Sequence, residues 1–144
     1  MEIGTNVTSI GDNAFAGCSS LTSITIGNGV TSIGEAVFYG CYCLTSITIG
    51  DSVTSIGNGA FVECGLTSVT IGNGVTSIGF SAFNGCGGLT SVTIGNGVTS
   101  IGEEAFSYCS GLTSVTFLGK TLEQVQDMDS YPWGISNTSI INVA

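Results

Sequence analysis

In the stretch GCSSLTSITIGNGVTSIG, residues 17 to 34, the apolar positions are Cys18, Leu21, Ile24, Ile26, Val30 and Ile33, with Gly, Ser, Thr and Asn between them. The pattern recurs. Aligned on Cys18, Cys41, Cys64, Cys86 and Cys109, the periods are 23, 23, 22 and 23 residues. Self-similarity at a fixed period of this length predicts a solenoid, in which each coil is one supersecondary unit that buries its apolar side chains against its neighbours.

Within a period, LTSITI alternates as a half-buried strand, with Ile24 and Ile26 on one face and Ser23 and Thr25 on the other. VTSIG is a second short extended segment. The Gly-Asn-Gly between them is expected to supply the positive-φ residues that a sharp corner requires. GDNAFAGC lacks strand alternation and predicts a single helical or 3₁₀ turn with Phe15 inward. Stacking coils about 4.8 Å apart pairs the LTSITI strands in parallel and aligns Phe15, Phe38, Phe61, Phe83 and Phe106 in one column. The short period loses its residue between Cys64 and Leu66, at a corner, so both faces should stay in phase.

The combination Leu-x-x-Ile-x-Ile, Val-x-x-Ile-Gly and Ala-Phe-x-x-Cys, five times in phase over residues 7 to 117, resembles the BspA-like leucine-rich repeat. The resemblance implies a leucine-rich-repeat solenoid of right-handed coils of about 23 residues, with a parallel β-sheet on one face and short strands and 3₁₀ or helical turns on the others. It also implies a cell-surface or secreted parent protein, and adhesion to an extracellular or cell-surface protein. Two departures from the family pattern bear on the corners: Gly27 and Gly50 stand where the family often has Pro, and there is no asparagine ladder.

The whole chain reads as one domain. Residues 1 to 6 look like the remnant of a preceding repeat, which makes the segment a fragment, and MEIGTNV carries no signal-peptide pattern. Residues 118 to 144 read as a C-terminal cap. There Thr121 and Gln124 form a capping-box signal for a short helix with Leu122, Val125 and Met128 inward. The ring of Trp133 is expected to cover the last coil. The N-terminal end has no such cap, so the edge at residues 2 to 10 is a candidate for self-association into end-to-end assemblies or filaments.

Composition narrows the chemistry. One Lys, no Arg and ten acidic residues give a net charge of −9, which removes the electrostatic drive for nucleic acid. No apolar run is long enough for membrane insertion. With no His, a general base near neutral pH would have to be a buried carboxylate or a thiolate. Asp12, Glu35, Glu103 and Glu104 sit at corners where solvated charge is expected, so no catalytic residue, cofactor or metal site is assigned. The five in-phase cysteines read as buried free thiols, because equivalent side chains on parallel coils point the same way. Cys43 alone is out of phase and reads as the accessible thiol.

Candidate binding residues are therefore on the surface. Ser23, Ser46, Ser68, Ser91 and Ser114 should form one hydroxyl ladder, and Thr25, Thr48, Thr70, Thr93 and Thr116 a second beside it. Threonine is also simply a good strand former. Steps of roughly 6.7 Å by 4.8 Å make ice or another regular lattice an alternative ligand for these ladders. Tyr39, Tyr42, Phe80 and Tyr108 lie at non-core positions and are the candidate anchors for a protein partner.

Overall fold

The computed structural model describes residues 1 to 144 as a β-solenoid. The VTSIG segments form β1 (Ser9–Ile10), β3 (Ser32–Ile33), β5 (Ser55–Ile56), β7 (Ser77–Ile78) and β9 (Ser100–Ile101), paired in that order as one five-stranded sheet. Every pair is parallel, with Ser opposite Ser and Ile opposite Ile. The LTSITI segments form β2 (Ser23–Thr25), β4 (Ser46–Thr48), β6 (Ser68–Ile71), β8 (Ser91–Ile94) and β10 (Ser114–Phe117).

The third wall, around each Ala-Phe-x-x-Cys, refines the expected helical turn. In the first coil the amides of Ala14, Ala16 and Cys18 donate three residues back, to Gly11, Asn13 and Phe15. The amides of Asn13, Phe15 and Gly17 instead donate to Glu35, Val37 and Tyr39 of the next coil. Asn13 and Gly17 have φ of 61° and 73°. A left-handed residue every fourth position stops a helix from propagating and turns alternate amides outward, so the wall is laddered like a sheet.

The walls enclose one core of 36 buried residues. Its axis is the Phe column: Phe15, Phe38, Phe61, Phe83 and Phe106 stack with centroids 5.1–5.5 Å apart and planes within 11° of parallel. Beside it, the thiols of Cys41, Cys64, Cys86 and Cys109 donate to the carbonyls of Phe15, Phe38, Phe61 and Phe83 at 3.1–3.2 Å. All six cysteines are free.

At the C-terminus the chain makes a divergent further coil. β11 (Ile141–Val143) pairs in parallel with β10, Val115 opposite Ile141, and the amide of Phe106 donates to the carbonyl of Trp133. The capping box of Thr121 and Gln124 is present and starts α1 (Leu122–Gln126). Val125 is buried and Met128 packs on the core, but Leu122 is 45% exposed, contrary to its expected inward position. Leu122 and Val125 are three apart and share a helix face, but Leu122 is the first helical residue, next to the exposed cap Thr121, at the end of the helix that projects beyond the core. Trp133 is buried and donates from Nε1 to the Asp129 carbonyl at 2.9 Å. Its ring lies against Phe117 at 5.5 Å rather than extending the Phe column, and Tyr131 meets it edge-on.

At the other end, Met1 to Ile3 already belong to a preceding coil. The Ile3 amide donates to the Thr25 carbonyl at 2.8 Å, and the Thr25 amide to the Met1 carbonyl at 2.9 Å. Residues 1 to 3 are thus the first rung of one sheet and β1 the first rung of the other.

One interruption crosses this order. The LTSITI strands form two blocks, β2 with β4 and β6 with β8, β10 and β11, and no ladder joins β4 to β6. Where Thr90 and Thr113 donate from amide to the preceding Thr carbonyl at 2.8–2.9 Å, Thr67 reaches Thr45 at 3.4 Å. This is the coil that is one residue short. The missing residue leaves the faces in phase, since Val69 and Ile71 stay buried, but it pulls the strand off its neighbour.

The second coil is also spread from the first, for a different reason. Contrary to expectation, no residue of the Gly-Asn-Gly corners between the two strands has positive φ; glycine is needed there for close approach instead, since at Gly29, Gly74 and Gly97 the backbone passes so close to the preceding coil that an added Cβ would collide with the carbonyls of Thr5, Asp51 and Asn73. Ser52 occupies that position in the second coil. Its Cβ forbids the same approach and its Oγ donates to the Val30 carbonyl at 2.8 Å. Accordingly β2 and β4 have three residues each, while β6, β8 and β10 have four.

Candidate interaction surfaces

The two hydroxyl ladders form in the expected register: Ser23 faces Ser46, and Ser68, Ser91 and Ser114 face one another in turn, with Thr25, Thr48, Thr70, Thr93 and Thr116 matched likewise. They are not continuous. The break between β4 and β6 opens a polar cleft of about 440 Å³ lined by Ser46, Thr48, Asp51, Ser68 and Thr70. A ligand needing an unbroken two-dimensional lattice meets two short blocks instead.

Two further sets of threonines, outside the two ladders, also bond from coil to coil. Thr31, Thr54, Thr76 and Thr99 each donate from Oγ1 to the carbonyl of the equivalent Thr one coil earlier, at 2.9–3.3 Å, so this zipper runs unbroken from Thr8. Thr45, Thr90 and Thr113 do the same on the LTSITI side, and the absent link is Thr67 to Thr45, at the break. The signal was the repeated Thr-Ser pair before each inward-facing Ile or Val. These hydroxyls tie coils together.

The four aromatic candidates are exposed: Tyr39 49%, Tyr42 63%, Phe80 48% and Tyr108 81%. Tyr39, Phe80 and Tyr108 belong to the turn wall of the second, fourth and fifth coils, and Tyr42 follows Cys41 where that wall ends. The other exposed large apolar residues, Met1, Val7, Leu122 and Val143, lie at the two ends of the chain. Between the fifth coil and the C-terminal coil runs a groove of about 590 Å³ lined by Phe106, Tyr108, Leu112, Ile135, Ile140 and Glu104.

Titration of the thiols follows burial. Desolvation raises Cys41 and Cys64 and pushes Cys86 up to about 12 and Cys109 to about 11. Such thiols stay protonated and are poor nucleophiles. Cys43 is exposed, as its phase predicts. No group of three or more His, Cys, Asp or Glu side chains is placed to hold a metal ion. No helix is long and apolar enough to cross a membrane.

A coil with this strand, corner and turn order is the repeat unit of a leucine-rich-repeat solenoid. Residues 8 to 132 match the BspA type leucine rich repeat region in six copies, and the chain belongs to that family. Among solved structures, the leucine-rich repeat protein of T. pallidum superposes with a TM-score of 0.79 at 24% identity, over 99% of this chain and 67% of that one. A leucine-rich repeat protein from Bacteroides ovatus gives 0.70 at 26%, over 99% of this chain and 42% of its own. The pneumococcal vaccine antigen PcpA gives 0.82 at 20%, over the whole of this chain and 36% of its own. The chain thus spans well under half of the last two. Among curated proteins none matches it.

Proposed function

We propose that this solenoid is a non-enzymatic protein-binding module, an adhesion segment of a cell-surface or secreted repeat protein. The observation that carries the reading is the exposure of Tyr39, Tyr42, Phe80 and Tyr108 along a fold whose core is complete without them. Exposed aromatics on a rigid scaffold contribute large contact area at low entropic cost, which is how interface anchors work. The acidic corners sit apart from any base, and the raised thiols lack an activating partner, so neither supports catalysis. Likeness to a bacterial vaccine antigen supports placement at the cell surface. The test is capture of proteins from extracellular-matrix and cell-surface preparations, with each of the four aromatics changed to Ala. Capture that none of the four substitutions reduces overturns the reading.

A second reading, self-association through the N-terminal edge, is favoured by the pairing of Met1 to Ile3 with β2, which leaves the outer side of that short segment open to another chain. A molar mass independent of concentration in light scattering overturns it.

A further inference from the structure

We propose that the groove between the fifth coil and the C-terminal coil, with the turn wall leading to it, receives a lysine- or arginine-rich segment of the protein partner. This rests on the protein-binding reading above and gives that partner a chemistry. A basic side chain is an apolar stem carrying a cationic head. The groove offers the partly exposed apolar side chains of Leu112 and Ile140 over the buried Phe106 and Ile135, with Ser110 and Asn137 between them, and at its exposed margin the carboxylate of Glu104 and the ring of Tyr108. Leu112 and Ile140 suit the stem. The carboxylate and the aromatic face suit the head, by charge and by cation–π attraction.

The wall extends the match. It carries Asp12, Glu35, Glu63 and Glu103 besides Glu104, half of the chain's ten acidic residues, interleaved with Tyr39 and Phe80. Nothing in the chain neutralises it: the single Lys120 is held at a Gly-Asn-Gly corner, donating to the Asn96 carbonyl at 3.2 Å. The groove lies three coil spacings of 5.1–5.5 Å from the coil of Tyr39, so an extended segment of a few residues covers both. Tyr108 is also not what its position asks for. It has φ of 59° where the first, second and fourth coils place Gly17, Gly40 and Gly85, and at 81% exposure the ring adds nothing to the core.

The experiment measures fluorescence anisotropy of labelled nona-arginine and nona-glutamate peptides with the intact chain, at low and at physiological ionic strength. Tyr108→Gly suits the local backbone, so the variant should keep its thermal melt. Nona-arginine should bind and nona-glutamate should not. Tyr108→Gly should weaken nona-arginine binding roughly fivefold, and Glu104→Gln about threefold. Glu2→Gln, an equal charge change at the far end, should leave it within about 1.5-fold at physiological salt. An unchanged affinity in Tyr108→Gly, or equal losses in Glu104→Gln and Glu2→Gln, overturns the groove and leaves net charge as the cause. If Tyr108→Gly loses the peptide while the wild type captures no surface protein, the groove stands and the wider adhesion reading falls. If surface-protein capture persists while peptide binding ignores Tyr108, the adhesion reading stands and the groove falls.

Discussion

The thiol of Cys64 donates to the carbonyl of Phe38, one coil back, at 3.1 Å. The equivalent bond recurs from Cys41 to Phe15, from Cys86 to Phe61 and from Cys109 to Phe83. Each bond ties the Cys position to the Phe column in the same step that buries the thiol, and burial makes ionisation costly.

The pH dependence follows from Cys86. Its folded pKa is pushed up to about 12 from an ordinary 9.0, so between those values the unfolded chain has lost a proton that the folded chain keeps. Stability is therefore fully present below pH 9 and declines as pH rises through that window, by at most ~1.4 kcal/mol per pH unit for this thiol. Urea melts at pH 7, 9 and 10.5 should show the decline, and Cys86→Ala should make it shallower by this thiol's share, leaving the part due to Cys41, Cys64 and Cys109, while lowering stability at neutral pH. A wild-type curve level to pH 10.5 contradicts the assignment. Thiol labelling of the native protein should reach Cys43 first and Cys64 and Cys86 only on unfolding.

Position along the column decides the cost of breaking it. Phe61 is fully buried between Phe38 at 5.2 Å and Phe83 at 5.1 Å, whereas Phe15 is partly exposed and stacks on one side only. Phe61→Ala should lose about 3–5 kcal/mol through the cavity it leaves, and Phe15→Ala clearly less. Equal losses in denaturant melts would mean that the coils do not act as a nearest-neighbour stack.

Trp133 closes the far end against Phe117 and holds its own indole N–H on the Asp129 carbonyl. Trp133→Ala should cost about 3–5 kcal/mol. It should also expose Phe117 and raise the apparent mass in light scattering. A monomeric, fully stable variant would show that the C-terminal coil is held by β11 alone.

These features differ in how plainly the residues announce them. The Phe and Cys columns and the Ser and Thr registers were legible because each depends only on phase, and Cys18 through Cys109 hold that phase with one missing residue. The C-terminal coil was not. Ile141 pairs with Val115 across an offset of 26 residues that no repeat announces, so the segment reads as a cap with a helix. The break between β4 and β6 was hidden for another reason. Alternation within LTSITI and LTSVTI is intact on both sides of it, and the break lies in the spacing between coils, set by the shortened Cys64-Gly65-Leu66 corner. The aromatics could be found as departures from the repeat, but the groove beside Tyr108 could not, because its other wall is the unannounced coil.

Ser52 gives the most local test of how sequence sets coil spacing. Three corners bring a glycine against the preceding carbonyl, and Ser52 holds the second coil away, so that an added Cβ on Gly50 would still lie 3.5 Å from the Ile26 carbonyl. In the fourth and fifth coils the corresponding strand-end amide is bonded, Gly95 to the Ile71 carbonyl at 2.8 Å and Leu118 to the Ile94 carbonyl at 2.9 Å. Ser52→Gly should let the corner close and bring the Gly50 amide onto Ile26, lengthening the β2–β4 ladder by one bond. The Oγ bond to Val30 is lost in exchange, so the net stability change should stay within about 1 kcal/mol. The reporter is hydrogen exchange at the Gly50 amide, which should slow roughly tenfold if a bond worth about 1.4 kcal/mol against local opening forms there. The reverse change, Gly97→Ser, sets a Cβ against the Asn73 carbonyl and should speed exchange at Gly95 while leaving the Thr99 zipper on the opposite sheet intact. If exchange at Gly50 is unmoved by Ser52→Gly, the spread of the second coil has a cause other than this one Cβ.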